Sequence, residues 1–151
     1  MLQTLIRLFH YDGWANNEAL RSLRQMANPP AGAIRLLSHI VAVEWLWLDR
    51  MRGVPQSLPV WPEWSLDELE AQLPRAREAW KVYLDEKKDL ASLFQYTNTK
   101  GERYSNTLAD GAMHVPFHGA YHRGQIAALV RDHDGQPAYT DFIQAARTGK
   151  I

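Results

Sequence analysis

The fold is decided by the stretch IVAVEWLWL at residues 40–48, in which every side chain except Glu44 is apolar. A helix that is apolar nearly all round its circumference is buried on every side. The helix that contains this stretch is expected to run from about Pro30 to Met51. We therefore predict that it is the most buried element of the protein.

Amphipathic patterns before and after this helix predict three further long helices. The first, from about residue 2 to about residue 27, carries apolar residues at mixed spacings of three and four. The third and fourth begin at capping boxes, SLDE at 65–68 and TLAD at 107–110. Pro74 is expected to kink or briefly break the third helix, because proline lacks a backbone N–H. Gly135 is expected to end the fourth in a left-handed conformation.

The connecting segments complete the predicted architecture. Residues 53–64 hold three prolines and are interpreted as a long crossover loop between the second and third helices. Residues 93–106, LFQYTNTKGERYSN, fit a short hairpin or an extended loop, and a last short helix is expected from Thr140. Residues 1–151 are thus predicted to form a single all-α domain, a four-helix bundle.

The composition narrows the class of partner. The chain has 151 residues with 17 basic and 17 acidic side chains, and it contains no run of like charges. This balance argues against a nucleic-acid partner, which usually needs a basic surface. The N-terminus does not resemble a signal peptide, and no uninterrupted apolar stretch is long enough to cross a membrane. We expect a cytoplasmic protein. The absence of cysteine excludes disulfides, thiolate metal ligands and a protein-borne thiol nucleophile.

The candidate chemistry lies in HVPFHGAYHRGQ at residues 114–125, where His114, His118 and His122 stand four apart. Neighbours in this series differ by 40° around a helix and by about 6 Å along its axis. One ion can therefore bridge 114 and 118 or 118 and 122, but His114 and His122, about 12 Å apart, cannot share it. His39, in the apolar helix, is the best candidate for a ligand from another segment, since an unpaired buried imidazole is costly.

Pro116 bears on the choice between the two pairs. A proline inside the fourth helix removes a backbone hydrogen bond and is expected to kink the helix between His114 and His118. We therefore favour the pair formed by His118 and His122. The spacing equals that of the two ligands in the HExxH zinc helix, but GAY replaces the glutamate-containing segment. A zinc-protease mechanism with a base from this helix is therefore unsupported.

Simpler interpretations of the histidines stay open. A single helical histidine usually lies on the surface, or in the core with one hydrogen bond. His10 is expected at the boundary of the first helix, and His133 is expected to have a structural role in the last turn of the fourth, where a cation favours the helix dipole. An HxxxH pair alone arises easily by chance. The pair together with His39 makes a metal site more plausible than any one histidine would.

The segment HGAYHRGQIAALVR at 118–131 resembles the DinB/YfiT-like family of metal-dependent enzymes, whose C-terminal signature is HxxxHRGQ. His39 and Glu44 resemble the family's pattern of a histidine in the second helix followed by a glutamate and apolar residues. Further likeness lies in YDGWANNEAL at 11–20, YTNTKGERYSN at 96–106 and TDFI at 140–143. Pro116 and Phe117 depart from the pattern, since relatives commonly carry a polar residue before the histidine.

The resemblance implies a fold, a site and an activity. It implies a four-helix bundle with an up-down-down-up path, often homodimeric, and a metal site at His39, His118 and His122. The metal is expected to be a divalent transition ion, zinc or nickel, with one coordination position open. Family members include thiol-dependent S-transferases and a maleylpyruvate isomerase that uses a low-molecular-weight thiol. We therefore expect an enzyme that transfers a small thiol to small-molecule electrophiles.

Other functions remain compatible with the residues. Imidazole ligands suit zinc, nickel, copper and iron alike, and a bound ion could instead activate water for hydrolysis. A non-catalytic metal or ligand binder, or a dimeric bundle with a structural ion, is a further alternative, and a haem between His39 and His118 is a remote one. No residue is assigned as catalytic.

Supporting roles near the site can also be proposed from the sequence. Glu44 and Asp12 could accept hydrogen bonds from ligand imidazoles, although Glu44 lies about 140° around the helix from His39, which favours a salt bridge elsewhere. Arg123 and Gln125 are expected to make structural hydrogen bonds between helices. Tyr121 could reach a substrate or pack in the core.

Overall fold

The computed structural model describes residues 1–87 and 89–151 of the chain. In these residues five helices and one antiparallel hairpin follow one another in the order α1 (Leu2–Arg24), α2 (Ala31–Arg52), α3 (Leu66–Glu86), β1 (Leu93–Thr97), β2 (Arg103–Thr107), α4 (Leu108–Asp132) and α5 (Phe142–Arg147). The predicted all-α bundle is confirmed, together with the short hairpin before the fourth long helix and the short C-terminal helix.

Two apolar clusters give the direction of each long helix. One cluster joins the end of α1, the starts of α2 and α3, and the end of α4: Ala19, Leu20, Leu23, Ala33, Leu37, Ile40, Val41, Leu69, Leu73, Ala76, Ile126 and Val130. The other joins the opposite ends: Leu5, Phe9, Leu48, Met51, Trp80, Tyr83, Leu84, Leu108, Ala112 and Val115, with Phe94 from β1. The path is therefore up-down-down-up, and the crossover loop connects two parallel helices.

Both predicted capping boxes are present. The Glu68 backbone N–H donates to Ser65 Oγ at 3.2 Å, and the Ser65 N–H donates to the Glu68 carboxylate at 2.7 Å. At the start of α4 the Asp110 N–H donates to Thr107 Oγ1 at 3.1 Å. Each cap stabilises its helix by about 1 kcal/mol. The second cap also begins the helix that carries the histidines directly at the end of the hairpin.

The break predicted at Pro74 and the left-handed conformation predicted for Gly135 were wrong. α3 runs through Pro74 without a break, because its apolar face is buried along its whole length and the proline itself faces solvent. After α4, Asp134 rather than Gly135 adopts the left-handed conformation, with φ 57°. Aspartate tolerates this conformation better than most residues. Gly135 is needed for space instead, since a Cβ there would lie 2.8 Å from Met26 and Val130.

α2 is the core helix, as predicted from its composition. Among the described residues it is the one helix long and apolar enough to cross a membrane by those criteria alone. Its most apolar window is 61% buried inside the bundle. Enclosure by α1, α3, α4 and the hairpin accounts for its hydrophobicity without a bilayer.

Candidate metal centre

A layer of buried polar side chains separates the two apolar clusters. Arg123 of α4 donates through Nη1 to Asp12 Oδ1 and to Asn16 Oδ1, each at 2.6 Å. The Asn16 amide donates in turn to Glu44 Oε1 at 2.9 Å. This network joins α1, α2 and α4 at mid-height of the bundle. It therefore sets the axial register between α4, which carries two candidate ligands, and α2, which carries the third.

The polar layer contains two acids and one cation. Burial raises the pKa of Glu44 well above its ordinary value, and the adjacent Asp12 raises it further, while Arg123 lowers it. Burial also raises the pKa of Asp12, against the opposing effect of Arg123 at hydrogen-bond distance. Because one guanidinium can compensate only one buried carboxylate, the pKa rises more at Glu44 than at Asp12, which is the carboxylate bonded to Arg123.

At the level of this layer, in the groove between α2 and α4, three histidines meet. The ring centroids of His39 and His118 are 5.0 Å apart, those of His39 and His122 are 5.0 Å apart, and those of His118 and His122 are 4.5 Å apart. One ring nitrogen from each residue lies within 4.8 Å of the other two. The three residues are thus close enough together to hold one metal ion.

Hydrogen bonds orient two of the three rings. The His39 Nδ1–H donates to the Val60 carbonyl at 2.8 Å, and the His122 Nδ1–H donates to Gln125 Oε1 at 2.7 Å. With Nδ1 engaged in this way, Nε2 is the nitrogen left with a free lone pair on both rings. Carbonyl and amide acceptors of this kind hold the ring orientation of metal-binding histidines.

The crossover loop covers one side of the cluster. Trp61 stacks on His39 with ring centroids 3.7 Å apart and an angle of 7° between planes. The Arg35 guanidinium lies over the indole, 5.1 Å from its centroid. The loop is therefore attached to the His39 ring at two places, with Val60 at the ring edge and Trp61 on the ring face. The stacked indole excludes water from that face of the ring.

Burial keeps the imidazoles of His39 and His118 in the form that binds metal. Burial, together with the neighbouring His122, His39 and His114, lowers the pKa of His118 to about 3. Burial also lowers the pKa of His39, although its hydrogen bond to Val60 opposes the effect. At neutral pH both rings are uncharged, and each offers a lone pair to a cation.

The structure distinguishes between the two histidine pairs. His118 and His122, with His39, form the close group, and His114 does not belong to it. α4 continues through Pro116, and the centroid of the His114 ring lies 4.6 Å from that of Trp47.

The two remaining histidines lie away from the cluster. His10 is exposed, and His133, at the C-cap of α4, forms a hydrogen bond with the Leu129 carbonyl.

Some supporting residues differ from the sequence-based expectations. Glu44 and Asp12 belong to the polar layer and accept no hydrogen bond from His39 or His122. Gln125 bonds His122 within α4 rather than another helix, and its position one turn after that histidine was a signal that could have revealed this. Nothing in the local sequence indicated that Val60 and Trp61 contact His39.

Comparisons with known proteins identify the family of this chain. The profile of the DinB family matches residues 1–148. Protein DinB of Bacillus subtilis (strain 168) is 24% identical over 154 residues, covering 90% of this chain and 90% of its own. The match includes α1, α2 and α4, which together form the histidine cluster and the polar layer. The chain belongs to the DinB family.

Proposed function

We propose that this protein is a metal-dependent enzyme whose ion is bound by His39, His118 and His122. The observation that supports it best is the convergence of these three imidazoles from two helices, with one nitrogen of each within 4.8 Å of the others. A set of three imidazole nitrogen donors suits zinc or nickel. Membership of the DinB family is compatible with this assignment.

The donor set fits an ion with an open coordination position. In residues 1–87 and 89–151 no fourth histidine or acidic side chain joins the group. Structural zinc sites are usually closed by four protein ligands, whereas catalytic sites keep three. The half-buried His118 and His122 leave a face of the cluster accessible to a small molecule.

The reaction that we propose is transfer of a small thiol to a small electrophile. When bound, the ion lowers the pKa of a coordinated thiol, or of water in the hydrolytic alternative, and so supplies the nucleophile. In S-transfer a sulfur–carbon bond forms, the leaving group departs with its bonding electrons, and the thiol proton passes to solvent. Because the chain has no cysteine, the thiol must be a cosubstrate.

The chain's own residues position the histidine rings and shield one of them from water. Gln125 and the Val60 carbonyl hold two rings in place, and Trp61 excludes water from the face of His39. Tyr121 is exposed, with its ring centroid 5.1 Å from that of His122. Its phenol can therefore contact a molecule bound at the cluster, and core packing is ruled out for it.

The first experiment is metal analysis of the purified protein. Wild type should hold about one divalent transition ion per chain, and His39→Ala and His122→Ala should each lose it while the helical circular dichroism stays unchanged. His10→Ala is the matched control, because His10 is an exposed histidine outside the group. Metal retained by both ligand variants would refute the site.

The second experiment separates the proposed activities. The metal-loaded protein is assayed with a panel of small thiols and an epoxide or chloro-aromatic acceptor, and thioether formation is followed by mass spectrometry. Thiol-dependent product supports S-transfer, and thiol-independent opening of the acceptor supports the hydrolase. If neither product forms with metal bound, the result favours the non-catalytic binder.

We also propose that the protein is a cytoplasmic homodimer. The outer face of α4 carries Phe117 and Tyr121, which are 65% and 68% exposed, and continues through the small residues Gly124 and Ala128 without a charge. Such a face suits a second copy of the chain. Light scattering should give the mass of a dimer for wild type and of a monomer for Ala128→Glu. A monomeric wild type would disprove the homodimer.

A further inference from the structure

A pocket of about 430 Å³ lies three turns along α2 from the histidine cluster. It is open to solvent and is lined by the end of α2, the start of the crossover loop and strand β1. Its lining residues include Asp49, Arg50, Gln56, Gln95 and Asn98. The metal chemistry proposed above uses none of these groups.

Arg50 is the distinctive residue of this pocket. Its guanidinium carbon lies 5.1 Å from the ring centroid of Trp47 and 4.7 Å from that of Tyr96, so that two aromatic rings hold it. No ion pair with Arg50 occurs in the part of the chain that the structure describes. The neighbouring Asp49 is already engaged, since its Oδ2 accepts hydrogen bonds from the Ser57 N–H and hydroxyl.

The half-buried guanidinium therefore presents N–H groups to the pocket, and the lining acid Asp49 is hydrogen-bonded to Ser57 rather than to Arg50. Aromatic faces hold the plane of an arginine but leave its edge N–H groups free. A carboxylate is the complementary ligand, because its two oxygens match the guanidinium fork. The aromatic contacts restrict the side chain before the ligand arrives, which reduces the entropy lost on binding.

The pocket and the histidine cluster lie on one face of α2. Arg50 follows His39 by eleven residues, which places it only about 20° away around the helix and roughly 16 Å along the axis. Consecutive ring contacts connect the two places: Trp47 to His114 at 4.6 Å, and His114 to His118 at 5.5 Å. The two places are therefore separated along the surface of α2 by roughly 16 Å, a distance that one extended small molecule can span.

We propose that Arg50 forms a carboxylate-binding subsite for a small acidic molecule whose other end reaches the histidine cluster. The identity of that other end, a thiol or an electrophilic carbon, rests on the proposed function. The anion subsite itself does not, because it requires only the Trp47–Arg50–Tyr96 arrangement and the pocket beside it.

The simpler alternative is that Arg50 only attaches the hairpin to α2 through its aromatic contacts. That role predicts a loss of stability on substitution and no interaction with anions. Binding measurements on folded protein distinguish the two roles. The probes are succinate, a small dicarboxylate, and succinamide, its neutral isostere.

The test is a titration of metal-free, ¹⁵N-labelled wild type, monitored at the Arg50 Nε–H and Trp47 Nε1–H resonances. Succinate should shift both resonances saturably, and succinamide should shift neither resonance.

Three variants test the role of the side chain. Arg50→Gln should weaken succinate binding about tenfold or more, the loss expected for a charged hydrogen-bonded contact. Arg50→Lys keeps the charge but not the fork and should bind with intermediate affinity. Arg103→Gln, at an exposed arginine of β2, is the matched control and should bind as wild type does.

A second measurement needs no variant and covers the case in which the Arg50 variants unfold. Phenylglyoxal modifies arginines, and mass spectrometry of peptides gives the modification rate at each site. Succinate should slow modification of Arg50 severalfold and leave exposed arginines such as Arg103 unaffected. Equal protection by succinamide, or no protection and no saturable shifts with succinate, would overturn the proposal.

The experiment also separates this inference from the proposed function. Succinate binding to the metal-free protein, combined with a failure of His39→Ala to alter metal content, would refute the metal site and retain the anion subsite. Metal binding without any Arg50 response to succinate would refute the subsite and retain the metal site.

Discussion

Gly119 of α4 packs directly against Asp12 of α1: a Cβ on residue 119 would lie 2.5 Å from Asp12 Oδ1. Two helices can approach so closely only where one of them has no side chain. Gly119 follows the candidate ligand His118. This contact therefore sets how close the turn of α4 that carries His118 and His122 lies to α1. The buried polar layer and the histidine cluster are therefore parts of one packing arrangement.

Gly119→Ala should destabilise the protein by about 1–3 kcal/mol, the usual cost of overpacking, despite the better helix propensity of alanine. Gly124→Ala in the same helix is the control, since nothing lies within 4 Å of its added methyl. That substitution should be neutral or stabilise by up to about 1 kcal/mol. Urea denaturation measures both, and equal effects would contradict the packing described.

Arg123→Met should cost about 3–5 kcal/mol, because it leaves the Asp12 carboxylate buried without its partner. Adding Asp12→Leu should recover part of this loss. The double variant should therefore lose less unfolding free energy than the sum of the two single losses. Arg21→Met, which removes an exposed pair with Glu18, should cost less than about 1 kcal/mol. Additive effects at positions 12 and 123 would argue against a buried pair.

Glu44 should make the protein less stable as pH rises. Its pKa is raised in the folded state, so between the unfolded and folded pKa values the folded protein holds a proton that the unfolded chain has released. The free energy of unfolding then falls with pH, by up to about 1.4 kcal/mol per unit for one proton.

Glu44→Gln removes this titration and keeps an oxygen acceptor for Asn16. The difference in unfolding free energy, variant minus wild type, should therefore grow as the pH rises from the unfolded towards the folded pKa of Glu44, and taking the difference cancels the histidine contributions. A constant difference for Glu44→Gln would mean that the residue is ionised in the folded protein.

Gln125→Leu should weaken metal affinity about 10–100-fold without loss of fold, because it removes the acceptor that holds His122. Gln125→Glu retains an acceptor oxygen and should bind metal nearly as well as wild type. Competition with a chromogenic chelator gives the affinities, with the exposed Gln3→Leu as control. Unchanged affinity in Gln125→Leu would show that the hydrogen bond does not support the ligand.

His114→Ala should retain the full metal content, since His114 lies outside the close group and packs on Trp47. Inductively coupled plasma mass spectrometry compares it with His118→Ala, which should lose the ion. Loss of metal from the His114 variant would place this residue among the ligands and reopen the choice between the two histidine pairs.

Local features were accessible from the sequence because they depend on residues a few positions apart. The capping boxes at Ser65 and Thr107, the apolar helix around residues 40–48 and the hairpin near Gly101 are all of this kind. The spacing of His118 and His122 also belongs here, because one turn of helix places both rings on the same face whatever the surroundings.

The tertiary structure alone decided which helices and loops contact one another. His39 faces His118 and His122 because of how α2 and α4 are rotated and aligned against each other, which depends on the Gly119–Asp12 contact and on the Arg123 network. The same is true of Val60 and Trp61, which reach His39 from a loop whose path no local pattern predicts. Helical periodicity follows from the backbone, whereas the relative placement of helices follows from packing between residues a hundred positions apart.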